Sequence, residues 1–246
     1  MVTVHLSGGF GNQLFSYAFG YCVAKARGDA LYIDTAIQDM PWFFRNPDIL
    51  QMNILYDRRI TYRIGRSLPD RAFGNRLRFR SAVGWGTRIV KEEELKGELP
   101  ETAAGKCAGL PEKDLYLKGN WGEYGYFKAG EEELRRRFTF KEPLSGEAER
   151  LAEKIRSTSC AITLHYRLGD YVRIGIAPKA EYFVRAMRYI AERKENAVFY
   201  CFSEDIAYVK KQLAGLPFSI VYPEYASENR GVEDFRLLTE GKHQIL

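Results

Sequence analysis

No run in this sequence approaches the roughly 20 consecutive apolar residues of a membrane-spanning helix. The N-terminus enters "VTVHLSGG" directly, without the charged region and long apolar run of a secretory signal, so none is read there. Cysteine is sparse: Cys22, Cys107, Cys160 and Cys201 form no CxxC pair. Three of them, Cys22, Cys160 and Cys201, lie in apolar runs. Buried thiols in a reducing compartment are therefore expected, not disulfides or a metal site. No D-x-D triplet occurs, so that common device for holding a divalent ion against a diphosphate is missing. Repeats and low-complexity tracts are also absent, which excludes solenoid and linker-like architectures.

What is present is a chain of 246 residues with 46% hydrophobic content, enough for one large or two modest cores. Its formal charge is 37 minus 32, or +5. The excess is uneven: Arg58, Arg59, Arg63, Arg66, Arg71, Arg76, Arg78, Arg80 and Arg88 face only Asp57 and Asp70 in the same stretch. An anionic membrane surface, a phosphorylated substrate or a plain solvated face would each account for it. No nucleic-acid-binding motif accompanies these arginines, so nucleic acid is not an expected partner.

Both ends of the chain have an α/β pattern. "VTVHL" (Val2–Leu6) reads as a strand, "SGGFGNQ" as a glycine-rich turn, "LFSYAFGYCVAKA" as a helix and "ALYID" (Ala30–Asp34) as a second strand. Residues 35 to 115 show no clean period. "LYLKGNW" (Leu115–Trp121) reads as a strand, and "AGEEELRRRF" as a helix whose acidic start and basic end suit the macrodipole. Beyond the Pro- and Gly-containing "KEPLSGE" the alternation sharpens. Helices are expected at Glu147–Arg156, after Pro178, over "EDIAYVKKQL" and over "GVEDFRLLTEG", with strands at Cys160–His165, Ala197–Ser203 and Phe218–Tyr222. The expectation is two α/β domains, 1–144 and 145–246.

Two places carry chemistry. "AITLHYRLGDYV" ends a core strand with His165, Arg167 and Asp170, and ligands in open parallel α/β sheets sit at such carboxyl ends. Arg167 offers a permanent charge and a planar fork of donors suited to phosphate oxygens. Spacing alone is equally compatible with an Arg167–Asp170 ion pair and a His165 satisfied by backbone. In the first loop, "GGFGNQ" is neither G-x-G-x-x-G nor a P-loop. Glycines ahead of a helix still admit an anion to backbone donors, and Gly11, Asn12 and Gln13 stand there; a tight turn is the bland alternative. His5 reads as a packed or hydrogen-bonded histidine, and Trp42, Trp85 and Trp121 as packing residues.

"LSGGFGNQLFSYAFGYCVA", "LKGNWGEYGYF", "HYRLGDYV", "CFSED" and "EDFRLLTEGKHQI" occur in the order seen in glycosyltransferase family 11, and the chain resembles its bacterial α-1,2-fucosyltransferases over 1–34, about 115–145 and 155–246. The resemblance implies a GT-B-like fold of two Rossmann-like domains, 1–144 on the acceptor side and 145–246 binding GDP-fucose. It implies transfer of L-fucose from GDP-fucose to the 2-hydroxyl of a galactose-containing oligosaccharide, with inversion, without a metal and without any cofactor besides the donor. Arg167 matches the first arginine of the family's H-x-R-R-x-D motif and would meet the pyrophosphate, as a catalytic residue. His165 and Asp170 match the same motif, Asp170 as a candidate base. Ser203, Asp205 and Asp234 would bind the donor, with Gly11, Asn12 and Gln13 assigned to donor binding from the first loop. Leu168 stands at the second arginine, implying a lost contact, and Glu204 replaces an aspartate. Family members continue beyond "KHQIL", so the C-terminal domain is expected to be incomplete, with Gln244–Leu246 the start of a strand. A non-catalytic homologue that at most binds GDP is the alternative. The expected location is cytoplasmic, or peripheral at the inner membrane face if the basic stretch meets anionic lipid.

Overall fold

The computed structural model describes residues 1–39, 46–61, 86–97, 99–227 and 230–246. These divide into two compact units, Met1–Glu142 and Pro143–Leu246.

The first unit is built on five strands: β1 (Val2–His5), β2 (Leu31–Asp34), β3 (Arg58–Ile60), β4 (Arg88–Lys91) and β5 (Leu115–Lys118). All pair in parallel in the order β3-β2-β1-β5-β4, with Val4 opposite both Ile33 and Leu117. Helices α1 (Phe10–Arg27), α2 (Pro100–Ala108) and α3 (Glu131–Arg137) complete it. A central parallel strand is covered on both faces, and Val2, Thr3 and Val4 are accordingly inaccessible to solvent. Gly20 lets α1 lie against this strand: a Cβ there would sit 2.8 Å from Val4 Cβ.

Helix α1 starts four residues before the expected Leu14, so the glycine turn shrinks to Ser7–Gly9. Gly9 is extended and its carbonyl accepts the Gln13 N–H at 3.1 Å, which closes the first turn through Gly11. The strand expected through Trp121 stops at Lys118. Trp121 itself is fully buried, its ring stacked on Phe19 at 4.1 Å and edge-on to Tyr126. Trp42 and Trp85 lie outside the described residues, as do Arg63, Arg66, Arg71, Arg76, Arg78 and Arg80. Of the remaining basic residues in that stretch, Arg59 pairs with Asp39 and Arg88 with Glu94.

The second unit contains α4 (Gly146–Ser157), β6 (Cys160–His165), α5 (Gly169–Arg173), α6 (Ala180–Ala191), β7 (Ala197–Phe202), α7 (Ile206–Gln212), β8 (Ser219–Val221), α8 (Arg230–Thr239) and β9 (His243–Ile245). Its strands are parallel in the order β8-β7-β6-β9. The expected beginning of a strand at Gln244–Leu246 is thus β9, which pairs with β6 from Ile162↔His243 to Leu164↔Ile245. Alternation divides the core between two faces. Cys160, Ile162, Leu164, Phe199 and Cys201 pack with Phe183 and Met187 of α6, whereas Ala161, Tyr200 and Phe202 pack with Ala148, Ala152 and Ile155 of α4. Both sheets are Rossmann-like: the first strand lies inside, the next strand pairs on one side and a later one on the other.

All four cysteines are buried and unbridged. Burial pushes the Cys201 thiol up to about 12 and those of Cys22 and Cys107 up to about 11, consistent with packing residues. Among the described residues no helix is long and apolar enough to cross a membrane.

Candidate functional site

The order β8-β7-β6-β9 reverses at β6, and the carboxyl ends of β6 and its neighbours are where such sheets bind ligands. Beyond β6 the in-and-out alternation continues. Tyr166 donates its N–H to Phe202 O at 2.9 Å and stacks on Phe183 at 4.0 Å, while His165 and Arg167 stay partly accessible. Leu168 then turns into the same apolar cluster and is 7% exposed.

Arg167 is held from several sides. Its Nη2 donates to Asp170 Oδ1 at 3.0 Å, and its guanidinium carbon lies 4.7 Å from the centre of the Tyr171 ring. Its Nε is buried without a hydrogen-bond acceptor among the described residues and lies 3.9 Å from Glu204 Oε1. The Arg167–Asp170 pair allowed by the spacing therefore exists, and it orients the fork without satisfying it.

Glu204 organises this turn, a role the sequence pattern did not reveal. Its Oε2 accepts the Leu168 N–H at 3.1 Å. Gly169 sits at φ 38°, and a Cβ on it would lie 3.2 Å from Glu204 Oε1, so the turn needs glycine for both conformation and space. Burial lowers the pKa of His165; the Arg167 charge lowers it too, and Glu204 only partly offsets them. His165 is consequently a neutral imidazole near pH 7, with one ring nitrogen that donates and one that accepts.

Other expected donor residues flank this cluster. Burial raises the Asp234 pKa despite the Tyr225 hydroxyl, which donates to Oδ1 at 2.6 Å, and the Arg230 Nε at 3.7 Å. The Ser203 hydroxyl accepts the Asp205 N–H at 3.2 Å. Asp205 is the N-cap of α7, accepting the Tyr208 N–H at 2.9 Å, so its carboxylate already has a structural task.

The first-loop candidates belong to the other unit. Gly11 and Asn12 are exposed in the first turn of α1. Gln13 is not: it is fully buried, donates to Gly8 O and Asn46 O at 3.2 and 2.8 Å, and accepts the Ile49 N–H at 3.1 Å. Its amide braces the entry to α1, and these hydrogen bonds are made within the chain.

Residues 97–246, more than half of the chain, match Glycosyl transferase family 11. The chain belongs to this family. As a family 11 glycosyltransferase it is similar to an alpha-1,2-colitosyltransferase of Escherichia coli, 26% identical over 252 residues that cover 100% of this chain and 83% of the relative. It is also 23% identical over 257 residues to the galactoside 2-alpha-L-fucosyltransferase SEC1 of Bos taurus, covering 99% of this chain and 60% of the relative. Among solved structures, fucosyltransferase NodZ from Bradyrhizobium aligns with a TM-score of 0.59 at 14% identity, covering 99% of this chain and 86% of that one. At that identity the likeness concerns the fold, which is α/β and GT-B-like with two Rossmann-like units.

Proposed function

We propose that this family 11 glycosyltransferase moves L-fucose from GDP-fucose to the 2-hydroxyl of a galactoside, with inversion at the anomeric carbon. The observation that carries the reading is the setting of Arg167. A permanent cation stands at the switch point of a Rossmann-like sheet, aligned by Asp170 and Tyr171, with one N–H lacking an acceptor among the described residues. As the bond from the sugar to the diphosphate breaks, negative charge accumulates on the leaving phosphate. A pre-aligned guanidinium stabilises that charge without reorganising. In this reading Arg167 does what a divalent ion does elsewhere, so no metal is needed.

The hydrogen bond to Arg167 gives Asp170 an orienting role in preference to that of a base. His165, neutral and with both hydrogen-bonding polarities, suits hydroxyl or base recognition, and Ser203 and Asp234 lie on the neighbouring segments. The bovine relative's name supports a galactoside acceptor and an α-1,2 linkage. The Escherichia coli relative's name supports the same linkage but a different transferred sugar, so the sugar is the part to test first.

Titration calorimetry of the chain with GDP and GDP-fucose tests the donor site. Removing one charge-assisted contact costs about 1.5–3 kcal/mol, so Arg167→Ala is expected to weaken both ligands roughly 10- to 150-fold. Unchanged affinity would remove Arg167 from the diphosphate. Release of GDP that depends on an added galactoside separates a catalyst from a homologue that only binds GDP.

A further inference from the structure

Unit one carries its own cluster at the corresponding place, and the donor reading does not use it. His5 is the last residue of β1, Asp34 the last of β2, and Tyr116 reaches the same edge from β5. The strand order reverses at β1, so this edge is also a switch point. The Tyr116 hydroxyl donates to Asp34 Oδ2 at 2.6 Å and lies 3.1 Å from His5 Nδ1. Asp34 Oδ1 accepts the Ala36 N–H at 2.9 Å.

The proton count fixes the direction of this relay. Burial raises the Asp34 pKa, but the His5 ring 3.8 Å away, the Tyr116 hydroxyl and the Ala36 N–H outweigh it and leave Asp34 below the ordinary carboxylate range. Asp34 is therefore an acceptor only. Burial, with the Asp34 charge beside it, raises the pKa of Tyr116, which keeps its single proton. That proton goes to Asp34, so the Tyr116 oxygen accepts from His5 Nδ1–H. With Nδ1 donating, Nε2 is the ring atom left to accept, and it has no hydrogen-bond partner among the described residues. The side chain of His5 is 18% exposed, enough for a ligand to reach it.

The turn that follows Asp34 holds a further buried polar group. Gln38, in the turn that leaves β2, is 5% exposed, and neither of its amide atoms has a hydrogen-bond partner among the described residues. Buried polar groups are rarely left so, and an amide with both atoms unused suits a ligand that donates and accepts.

We propose that the His5–Tyr116–Asp34 relay forms a hydroxyl-binding site for a sugar, in which His5 Nε2 accepts the hydrogen of a ligand hydroxyl and Tyr116 and Asp34 fix the tautomer that makes this possible. The identity of the sugar, a galactoside, rests on the transfer reading; the polarity of the site does not. Asp34 and Tyr116 are positioning residues and His5 is the contact.

The test is saturation-transfer NMR of lactose with the whole chain, without donor. The wild-type chain is expected to show transfer to the galactose protons. His5→Asn keeps a donor toward Tyr116 but has no atom at the Nε2 position, and should weaken lactose at least tenfold. His5→Gln places an amide oxygen near that position and should restore part of the signal, which a merely structural role for His5 would not give. Equal lactose binding by the wild type and His5→Asn, or no lactose binding by a folded wild type, overturns the proposal. Loss of signal in both His5 variants while GDP still binds also counts against it, because rescue is required. If GDP fails to bind but lactose behaves as described, the donor reading falls and the His5 site stands.

Discussion

In Met1–Glu142 the first strand ends on His5, whose ring leans on the uncharged Tyr116 hydroxyl, with a single carboxylate, Asp34, behind it. In Pro143–Leu246 the first strand ends on His165, followed within five residues by a guanidinium and a carboxylate and faced by Glu204 from the next strand's end. The two sheets share one topology around their first strands, yet one edge handles a proton relay and the other fixed charge. The frame places a ligand, whereas the few side chains after the strand decide its chemistry. Rossmann-like architecture alone would not have told the two edges apart.

The largest expected effect strikes the frame itself. Each unit has a glycine pressed on its first strand: Gly20 against Val4, and Gly241, where a Cβ would lie 2.7 Å from Thr163 Oγ1. Overpacking of this kind costs roughly 1–3 kcal/mol. Gly20→Val should reach the upper end of that range, because both branches of the new side chain meet a strand that cannot yield. Hydrogen exchange should show protection falling first across Met1–Glu142. Equal loss in both units would mean that they do not unfold separately.

The next prediction concerns Leu168. Restoring the family's second arginine by Leu168→Arg is expected to lower stability by about 2 kcal/mol, because the side chain points into the apolar cluster beside Phe183. Denaturant unfolding reads the cost, and calorimetry should show no gain in GDP affinity. A tenfold tighter GDP complex would show that the turn can re-aim this position toward the ligand.

His165 supplies a pH dependence. Its folded pKa is depressed, so the unfolded chain takes up a proton at higher pH than the folded one. The associated stability is present above the ordinary imidazole pKa and is lost as pH falls below it through the folded value. Melting followed from pH 7 to pH 5 should fall less steeply in His165→Gln than in the wild type. Glu204→Gln removes the charge that favours imidazolium and should steepen the fall; identical slopes in all three would remove His165 as the source.

The smallest effect distinguishes a cap from a ligand. Asp205→Ala should cost about 1 kcal/mol in denaturant unfolding through the loss of the α7 cap, with GDP affinity unchanged. A GDP affinity that fell tenfold with stability intact would return Asp205 to the donor site.

Much of the second unit was legible in the sequence because its central strands β6 and β7 are largely buried and its helices amphipathic. Cys160–His165 shows the alternation without interruption, and the strand has the same limits in the structure. The first unit was legible at β1, α1, β2, β5 and α3, but not between residues 35 and 114. Strands β3 and β4 span three and four residues and open with arginine, too short and too polar for alternation to register. The burial of Gln13 was not legible because an amide following glycines resembles an anion-binding loop whether it points outward or inward. Glu204 was passed over because its decisive contact is with a backbone N–H 36 residues earlier, which leaves no mark in a side-chain pattern.

The sequence by itself determined the α/β class, the two-unit organisation and the chemical character of the β6 edge, because periodicity, glycine placement and the Arg167–Asp170 spacing are local properties. Only the tertiary structure decided that Leu168 faces the core, that Glu204 ties the Arg167 turn, and that His5 meets Tyr116 and Asp34, residues 111 apart in one case and with an 82-residue separation between the latter two. Those outcomes depend on which strands become neighbours, and strand neighbours are chosen by the burial of whole sheets, not by any stretch of chain read alone.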